Sequence, residues 1–338
     1  MRVHFTSLGE TRRLRSVPKH RMNPLDTRRA FVRSALLTPT LLATAATTSI
    51  AAAPSSVSAA SRRMRLGLAA YSFRQFFKEA SEPGSQAAPD GRPFDMLRFI
   101  DYCSEQGCDG AEVTSYYFPP QVSNDYLLKV KQRAFLKGVA LSGTAVGNTF
   151  TLDAGPKREE QMTLVKRWVD NAALMGAPHI RVFAGNTQKG STFEQAVKNC
   201  IAALEEAADY SGSKGVFLGI ENHGGIVASS KTLVDIVEAV KSPWVGINLD
   251  TGNFHTEDPY ADLAKCAARA INVQFKAEIR AAKEKKSSPA DVSRIIRILR
   301  DVGYLGYLTL EYESSESPWT AVPRLLNSLR DGMSRGSI

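Results

Sequence analysis

The sequence lacks the glycine-rich phosphate loops found in most nucleotide-binding α/β proteins. Neither GxGxxG nor GKS/T occurs in the 338 residues, and the segment after the first predicted strand reads Tyr71-Ser72-Phe73-Arg74. An open doubly wound sheet usually carries such a loop there, so its absence argues against that architecture. Histidine is also scarce, with five in the whole chain, which leaves few ligands for a histidine-rich zinc site.

Cysteine is equally rare, with four in the chain: Cys103, Cys108, Cys200 and Cys266. Cys200 and Cys266 lie in predicted helices, where we expect them to be small core residues. A Cys103–Cys108 disulfide is conceivable in an oxidising compartment. We expect all four to be unbridged thiols.

The excess positive charge lies at the N-terminus. Residues 1–33 contain nine Lys or Arg and two acidic residues, and no charged residue lies between Arg33 and Arg62. The rest of the chain has 34 basic and 32 acidic residues. A near-neutral body is poorly suited to a phosphate backbone, so we expect no nucleic-acid partner.

The basic N-terminus resembles a twin-arginine export signal. Thr27-Arg28-Arg29-Ala30-Phe31-Val32-Arg33 is followed by an uncharged run from Ala35 to Ala53 and by the small-x-small pattern Val57-Ser58-Ala59. The run is too rich in threonine to predict a transmembrane anchor. We assign residues 1–60 to a signal peptide and linker and expect export to the periplasm, without stable membrane insertion after cleavage. A disordered basic tail and an uncleaved tether are the alternatives.

Residues 61–338 are predicted to form one α/β domain. Apolar, β-rich segments alternate with amphipathic helical stretches in eight β/α units. The predicted strands span 65–71, 108–114, 139–146, 178–184, 216–221, 245–250, 271–276 and 307–313. Strict alternation predicts an all-parallel sheet, and eight units of this length predict a (β/α)8 TIM barrel.

Four strands in the second half of the domain end in oxygen-bearing side chains: Glu221, Asp250, Gln274 and Glu311. Side chains alternate across a strand, and the polar or mixed positions share the parity of these four while the opposite parity is aliphatic. In a TIM barrel the reactive groups lie at the C-terminal strand ends. The pattern therefore predicts that the four converge inside one rim, where they could bind a divalent metal.

The segments around these positions resemble those of a known family. They read Leu218-Gly219-Ile220-Glu221-Asn222-His223, Asn248-Leu249-Asp250-Thr251-Gly252-Asn253, Val273-Gln274-Phe275-Lys276 and Leu310-Glu311-Tyr312-Glu313. The body, from about residue 64 to 330, resembles the xylose isomerase-like TIM barrels of the AP endonuclease family 2 superfamily. That group includes sugar phosphate isomerases and epimerases, ketose epimerases and endonuclease IV.

The resemblance implies a metal centre and a reaction. It assigns Glu221, Asp250, Gln274 and Glu311 as metal ligands, with Gln274 where relatives commonly have histidine. An all-oxygen donor set favours Mn²⁺ or Mg²⁺, with Zn²⁺ or Co²⁺ as alternatives. Glu221 and Glu311 are implied as the acid–base pair that abstracts the α-proton of a metal-bound keto-sugar through an enediolate, and Glu313 is the fallback.

Five further side chains near the strand ends are candidates for contacting substrate: Glu112, His223, Asn253, His255 and Lys276. Glu112 could bind a substrate hydroxyl or form a structural ion pair with Arg181. Asn253 stands where relatives often place a histidine, and His255 could serve there instead. Lys276 is expected to offset the negative charge of the centre.

The leading hypothesis is an exported sugar isomerase or epimerase with a small-molecule carbohydrate substrate, and we leave a homo-oligomer open. A lyase or dehydratase acting on keto-sugars or keto-glycosides shares the first step, and export favours it or an unphosphorylated sugar. A non-catalytic carbohydrate-binding barrel that has lost its metal is the third hypothesis. The endonuclease branch is disfavoured because its trinuclear zinc site needs more histidine.

Overall fold

The computed structural model describes residues 63–77 and 86–335. The predicted twin-arginine segment, the apolar run and the cleavage pattern, all within residues 1–60, lie outside the described residues. The described residues belong to the predicted barrel domain.

Eight parallel strands close into a barrel, as predicted. They are β1 Arg65–Ala69, β2 Gly110–Thr114, β3 Ala140–Ala145, β4 His179–Phe183, β5 Phe217–Glu221, β6 Val245–Asp250, β7 Ala270–Phe275 and β8 Tyr307–Leu310. The sheet closes because β1 pairs with β2 on one side and with β8 on the other, so that Gly67 lies beside both Gly110 and Thr309. The C-terminal ends of all eight strands therefore meet at one rim.

Within residues 63–77 and 86–335, eight α-helices follow the strands in alternation. They are α1 Met96–Glu105, α2 Asn124–Leu136, α3 Pro156–Met175, α4 Phe193–Ser213, α5 Ser230–Ala239, α6 Pro259–Ala267, α7 Val292–Asp301 and α8 Pro318–Ser334. Short 3-10 helices at Ala70–Phe73, Ser115–Tyr117 and Gly225–Val227 follow β1, β2 and β5. A two-residue antiparallel ribbon, Glu278–Ile279 with Ser288–Pro289, lies between β7 and α7.

Helix starts are set by side chains that accept hydrogen bonds from otherwise unpaired backbone N–H groups. Asp95 accepts from the Arg98 N–H at the start of α1. At the start of α4 the hydroxyl of Thr192 accepts from the Gln195 N–H at 3.1 Å.

The two faces of the strands differ as the alternation predicted. The aliphatic side chains of β5 and β6, Leu218, Ile220, Ile247 and Leu249, belong to the large hydrophobic core. Polar side chains fill the barrel interior: Asn272 of β7 donates a hydrogen bond to Glu112 of β2 at 2.7 Å. Because β7 and β2 are not neighbours in the sheet, this bond crosses the interior. The parity prediction is confirmed there.

All four cysteines are free and buried, as expected. In residues 63–77 and 86–335, none of the helices combines the length and apolar character needed to cross a bilayer.

Candidate active site

The four side chains expected to bind a metal lie at the C-terminal rim of the barrel. Glu221 and Asp250 are the last residues of β5 and β6, Gln274 is the next-to-last residue of β7, and Glu311 directly follows β8. All four are buried, with exposed fractions of 3, 0, 2 and 6%. Backbone position therefore brings three carboxyl groups and one amide to the same end of the barrel.

Lys276 lies between three acidic side chains. Its Nζ is 3.3 Å from Asp250 Oδ2, 3.4 Å from Glu311 Oε2 and 2.5 Å from Glu313 Oε2. Lys276 itself is 9% exposed, whereas the Glu313 side chain is 38% exposed. One ammonium thus links the carboxylates of β6 and β8 to the solvent side of the rim, as the sequence led us to expect of this lysine.

Glu221 is held at both oxygens. Its Oε2 forms an ion pair with Arg181 Nε at 3.0 Å, and its Oε1 accepts a hydrogen bond from Asn253 Nδ2 at 2.9 Å. Arg181 extends from β4, with its guanidinium 3.8 Å from the centroid of the Phe183 ring. An ion pair with Arg181 was one of the two alternatives for Glu112, but the structure pairs Arg181 with Glu221 instead. An ion pair at one oxygen and a hydrogen bond at the other therefore fix the direction of this carboxylate.

Gln274 is held at both ends of its amide. Its Nε2 donates to Glu112 Oε1 at 2.6 Å, and its Oε1 accepts from Asn248 Nδ2 at 2.6 Å. An amide oxygen has two lone pairs, so that of Gln274 keeps one acceptor position. Both Glu112 oxygens are used inside the barrel, because Asn272 donates to the other one.

Burial and mutual repulsion set the protonation of the carboxylate cluster, Glu221, Asp250 and Glu311. Burial raises the pKa of Glu221 and of Asp250 to about 7, although the charges of Arg181 and Lys276 oppose the shift. Burial also raises the pKa of Glu311. Although burial opposes the charged form of Lys276, its acidic neighbours hold the pKa of this ammonium well above its usual value. The carboxyl pKa values stay high because the effect of burial exceeds the opposing effect of the Arg181 and Lys276 charges.

Three carboxyl groups and an amide oxygen are the donor types that hard divalent cations prefer. In the described residues, no three His, Cys, Asp or Glu side chains are arranged to hold a metal ion. The cation at this place is the ammonium of Lys276, between Asp250 and Glu311. Its position shows that the space between these carboxylates takes a cation. Asp250 Oδ2 is buried and accepts no hydrogen bond. Glu313 would keep Lys276 paired if the flexible lysine side chain turned away from the other two acids.

The remaining candidates are spread around the rim. Asn253 contacts Glu221, whereas His255 is exposed, with Nδ1 3.3 Å from the Arg280 carbonyl oxygen. His223 is exposed at the rim, with its ring centroid 4.5 Å from that of Phe183. Of the two positions considered for a substrate contact after β6, only that of Asn253 touches the carboxylate cluster.

Sequence reasoning missed the side chains that hold the cluster in place. Arg181 was considered only as a partner of Glu112, and no role was assigned to Asn222, Asn248 or Asn272. Asn222 joins β5 to β6, since it donates to the Asp250 carbonyl oxygen and accepts from the Asp250 N–H, each at 2.8 Å. The available signal was the inward parity of Arg181, Asn248 and Asn272 on their strands. Asn222 directly follows Glu221 at the end of β5, so parity does not indicate it.

Comparison with known proteins identifies the family. The sequence profile described as "Xylose isomerase-like TIM barrel" matches residues 100–331. The chain belongs to this family. The closed barrel described above is therefore the fold of a known group, and the resemblance drawn from the four motifs is confirmed.

Two characterised relatives of this chain are distant in sequence. A 3-oxo-isoapionate decarboxylase of Pectobacterium atrosepticum is 23% identical over 215 residues, which cover 63% of this chain and 68% of the relative. An inosose isomerase of Halalkalibacterium halodurans is 24% identical over 167 residues, covering 47% of this chain and 58% of the relative. This xylose isomerase-like barrel thus resembles both a decarboxylase and an isomerase.

Solved structures share the fold. The apo 3-keto-D-glucoside 4-epimerase from E. coli has a TM-score of 0.62 at 15% identity, covering 80% of this chain and all (100%) of the epimerase. A xylose isomerase-like TIM barrel protein from Mycobacterium smegmatis, solved in complex with magnesium, has a TM-score of 0.61 at 17% identity, covering 82% and 99% of the two chains. At these identities the likeness establishes the fold alone.

Proposed function

We propose that this chain is an exported, metal-dependent sugar isomerase or epimerase that removes the proton next to the carbonyl group of a keto-sugar. The observation that carries the proposal is the meeting of Asp250 and Glu311, from β6 and the end of β8, around Lys276 at 3.3 and 3.4 Å. With Glu221 at the end of β5, they form a buried acidic centre at the rim where TIM barrels carry out chemistry.

Glu221 and Glu311 are the proposed acid–base pair. One carboxylate takes the α-proton, and the other returns a proton to the opposite face or to the neighbouring carbon. Arg181 and Asn253 keep the oxygens of Glu221 in a fixed direction. Lys276, paired with Glu313 at the rim, offers a positive charge that stabilises negative charge on a substrate oxygen.

The proposed metal ligands are Glu221, Asp250, Gln274 and Glu311. A bound divalent ion would supply Lewis-acid stabilisation of the charge that develops on the substrate oxygen. The all-oxygen donor set favours Mn²⁺ or Mg²⁺ over Zn²⁺ or Co²⁺. Asp250 Oδ2 accepts no hydrogen bond and already faces a cation, the Lys276 ammonium, at 3.3 Å, and this supports a cation site. The magnesium complex of a structurally similar protein supports the choice of metal.

A carbohydrate substrate is supported by the relatives' activities, an inosose isomerase and a 3-keto-D-glucoside 4-epimerase. A lyase acting on a keto-sugar or keto-glycoside is the second candidate, favoured by the decarboxylase relative. Both candidates begin by generating negative charge next to a carbonyl group. They differ in whether a proton returns or a substituent leaves.

Solvent exchange tests the proposal. The purified chain, with its metal content measured by elemental analysis, is incubated in D₂O with a panel of keto-sugars and keto-glycosides. Deuterium at the carbon next to the carbonyl is expected, because the abstracted proton exchanges with solvent. A product heavier only by deuterium indicates isomerisation, whereas a product lacking a substituent indicates the lyase.

Protein that carries about one divalent ion per chain yet exchanges no proton in any of these sugars would contradict the proposed enzyme. Sugar binding without exchange would instead support the non-catalytic barrel. Protein that binds no metal but exchanges the proton would remove the metal from the proposal and leave the acid–base pair.

Export by the twin-arginine route is part of the proposal and is supported by Arg28, Arg29 and the uncharged run after them. The test compares the full chain with an Arg28→Lys/Arg29→Lys variant in a bacterium that has this pathway. We expect the variant to be lost from the periplasmic fraction. Equal periplasmic amounts of both proteins would refute the export route.

A further inference from the structure

A closed ring of hydrogen bonds lies inside the barrel, next to the proposed metal ligands. It consists of Glu112 on β2, Asn248 on β6, and Asn272 and Gln274 on β7, with exposed fractions of 0, 0, 0 and 2%. The four bonds measure 2.6 to 2.8 Å and leave no gap in the circuit. We call these four side chains the amide ring.

The hydrogen bonds of the amide ring begin at Asn272, which donates twice, and end at Glu112, which accepts twice. Glu112 has two acceptor oxygens, which receive the amide nitrogens of Asn272 and Gln274. The second N–H of Asn272 goes to Asn248 Oδ1, and Asn248 Nδ2 donates to Gln274 Oε1. Asn272 uses both N–H groups here and leaves its own oxygen unpaired. The circuit therefore depends on donation toward Glu112.

Turning the Gln274 amide over would break the ring at two points. Its oxygen would face the Glu112 carboxylate, and its NH₂ group would face the Asn248 NH₂ group. The first contact sets two acceptors against each other and the second sets two donors against each other. Because these side chains are buried, water cannot supply the missing partners, and unpaired buried polar atoms are costly. The ring thus fixes the orientation of the Gln274 amide, with its NH₂ group facing Glu112 and its oxygen facing Asn248.

We propose that Glu112 is a positioning residue that holds the Gln274 amide so that its oxygen, and not its NH₂ group, is available to a divalent cation. This rests on the proposed function, in which Gln274 is a metal ligand. Its oxygen accepts one hydrogen bond, from Asn248, and a second lone pair remains for the ion. Glu112 then acts on the metal through Gln274 and not through substrate.

Exchanging donor and acceptor tests this role. Glu112→Gln keeps the shape but offers one oxygen to two NH₂ donors, so either Asn272 or Gln274 loses its partner. Adding Gln274→Glu restores the circuit: residue 112 accepts from Asn272 and donates to the new carboxylate, which still accepts from Asn248. Gln274→Glu alone sets two carboxylates against each other.

The measured quantity is the affinity of the purified chain for Mn²⁺, by titration against a competing chelator, with apo-protein unfolding followed in parallel. We expect Glu112→Gln to weaken Mn²⁺ binding by about 10- to 100-fold, as for other residues that orient a metal ligand. The double variant should bind Mn²⁺ more tightly than Gln274→Glu alone, which carries the same new carboxylate ligand but sets it against Glu112. Glu112→Gln thus weakens binding when residue 274 is Gln and strengthens it when residue 274 is Glu. A purely structural role would lower apo stability without this reversal.

The outcomes separate the two proposals. Wild-type protein that binds no Mn²⁺, Mg²⁺ or Zn²⁺ overturns the metal centre itself. Wild-type binding that Glu112→Gln leaves unchanged overturns only the positioning role. If Glu112→Gln does not fold, the double variant decides, since a folded double variant without Mn²⁺ affinity also refutes the inference.

Discussion

Glu221 and Glu311, the two candidate acid–base residues, differ in what surrounds them. Glu221 has Arg181 at one oxygen and Asn253 at the other, whereas Glu311 lies 3.4 Å from the Lys276 ammonium. Strand alternation was sufficient to select both glutamates from the sequence, because inward parity and position at a strand end are local properties. Their partners come from other β/α units, and no local pattern shows which partner each glutamate meets.

Glu311→Gln is expected to lower proton exchange strongly while the chain remains folded. The amide keeps the size of the side chain but cannot take a proton from carbon, and such a group contributes about 10²- to 10⁴-fold to the rate. The measurement is deuterium incorporation from D₂O into whichever keto-sugar the wild-type protein labels.

Glu160→Gln provides the matched control, because Glu160 is exposed on α3, outside the barrel. It should exchange at the wild-type rate. Exchange by Glu311→Gln at a rate similar to that control would remove Glu311 from the acid–base pair.

At the scale of secondary-structure elements, Asp262 ties α5 and α6 to the loop before α6. Its Oδ1 accepts from Ser230 at the start of α5, and its Oδ2 accepts from Thr256, each at 2.5 Å. Asp262 is 8% exposed, so both hydroxyl groups would lose a buried partner without it. This contact joins two successive β/α units on the outside of the barrel.

Asp262→Ala is expected to destabilise the fold by about 1–3 kcal/mol, the usual cost of leaving buried polar groups unpaired. Urea unfolding followed by circular dichroism measures this change. Asp209→Ala, at an exposed position of α4, is the comparison and should shift the midpoint little. Equal midpoints for the two variants would show that the Asp262 contacts do not stabilise the chain.

Element order and type were predictable from the sequence, whereas several ends were not. The eighth strand was expected to run to residues 311–313, yet pairing between β1 and β8 stops at Leu68 beside Leu310. Beyond that point β1 turns into the 3-10 helix Ala70–Phe73, and the Tyr312 N–H donates to Ser72 Oγ at 2.9 Å. The Ser72 hydroxyl thus takes the place of a strand-to-strand backbone hydrogen bond. Hydrophobic alternation in the sequence cannot indicate where such a replacement ends a strand.

At the scale of the whole molecule, stability depends on a buried imidazole. His179, at the start of β4, is 4% exposed, and a Cβ at Gly143 would lie 2.0 Å from its ring. Burial lowers the pKa of His179 to about 4. In the unfolded chain the imidazole binds a proton near pH 6.5. Below that pH protonation stabilises the unfolded state, so the free energy of unfolding decreases.

Stability is therefore expected to rise between about pH 4 and 6.5, with His179 contributing about 3 kcal/mol across that range. The contribution is fully present above the unfolded pKa and is lost as pH falls toward the folded value. Urea unfolding of the wild type and of His179→Gln at a series of pH values measures it. The carboxyl groups of the rim titrate in both proteins, so the difference isolates the imidazole. Parallel stability curves would refute the assignment.

The sequence by itself determined the barrel and the candidate ligands, because β/α alternation and the two-residue period of a strand are patterns of residues close together in the chain. The tertiary structure alone decided that Arg181 meets Glu221, that Lys276 stands among three acids, and that Glu112 closes the amide ring. These contacts join strands far apart in the chain, and closing the barrel sets their distances. Hydrogen-bond direction and burial then determine which of these contacts are stable.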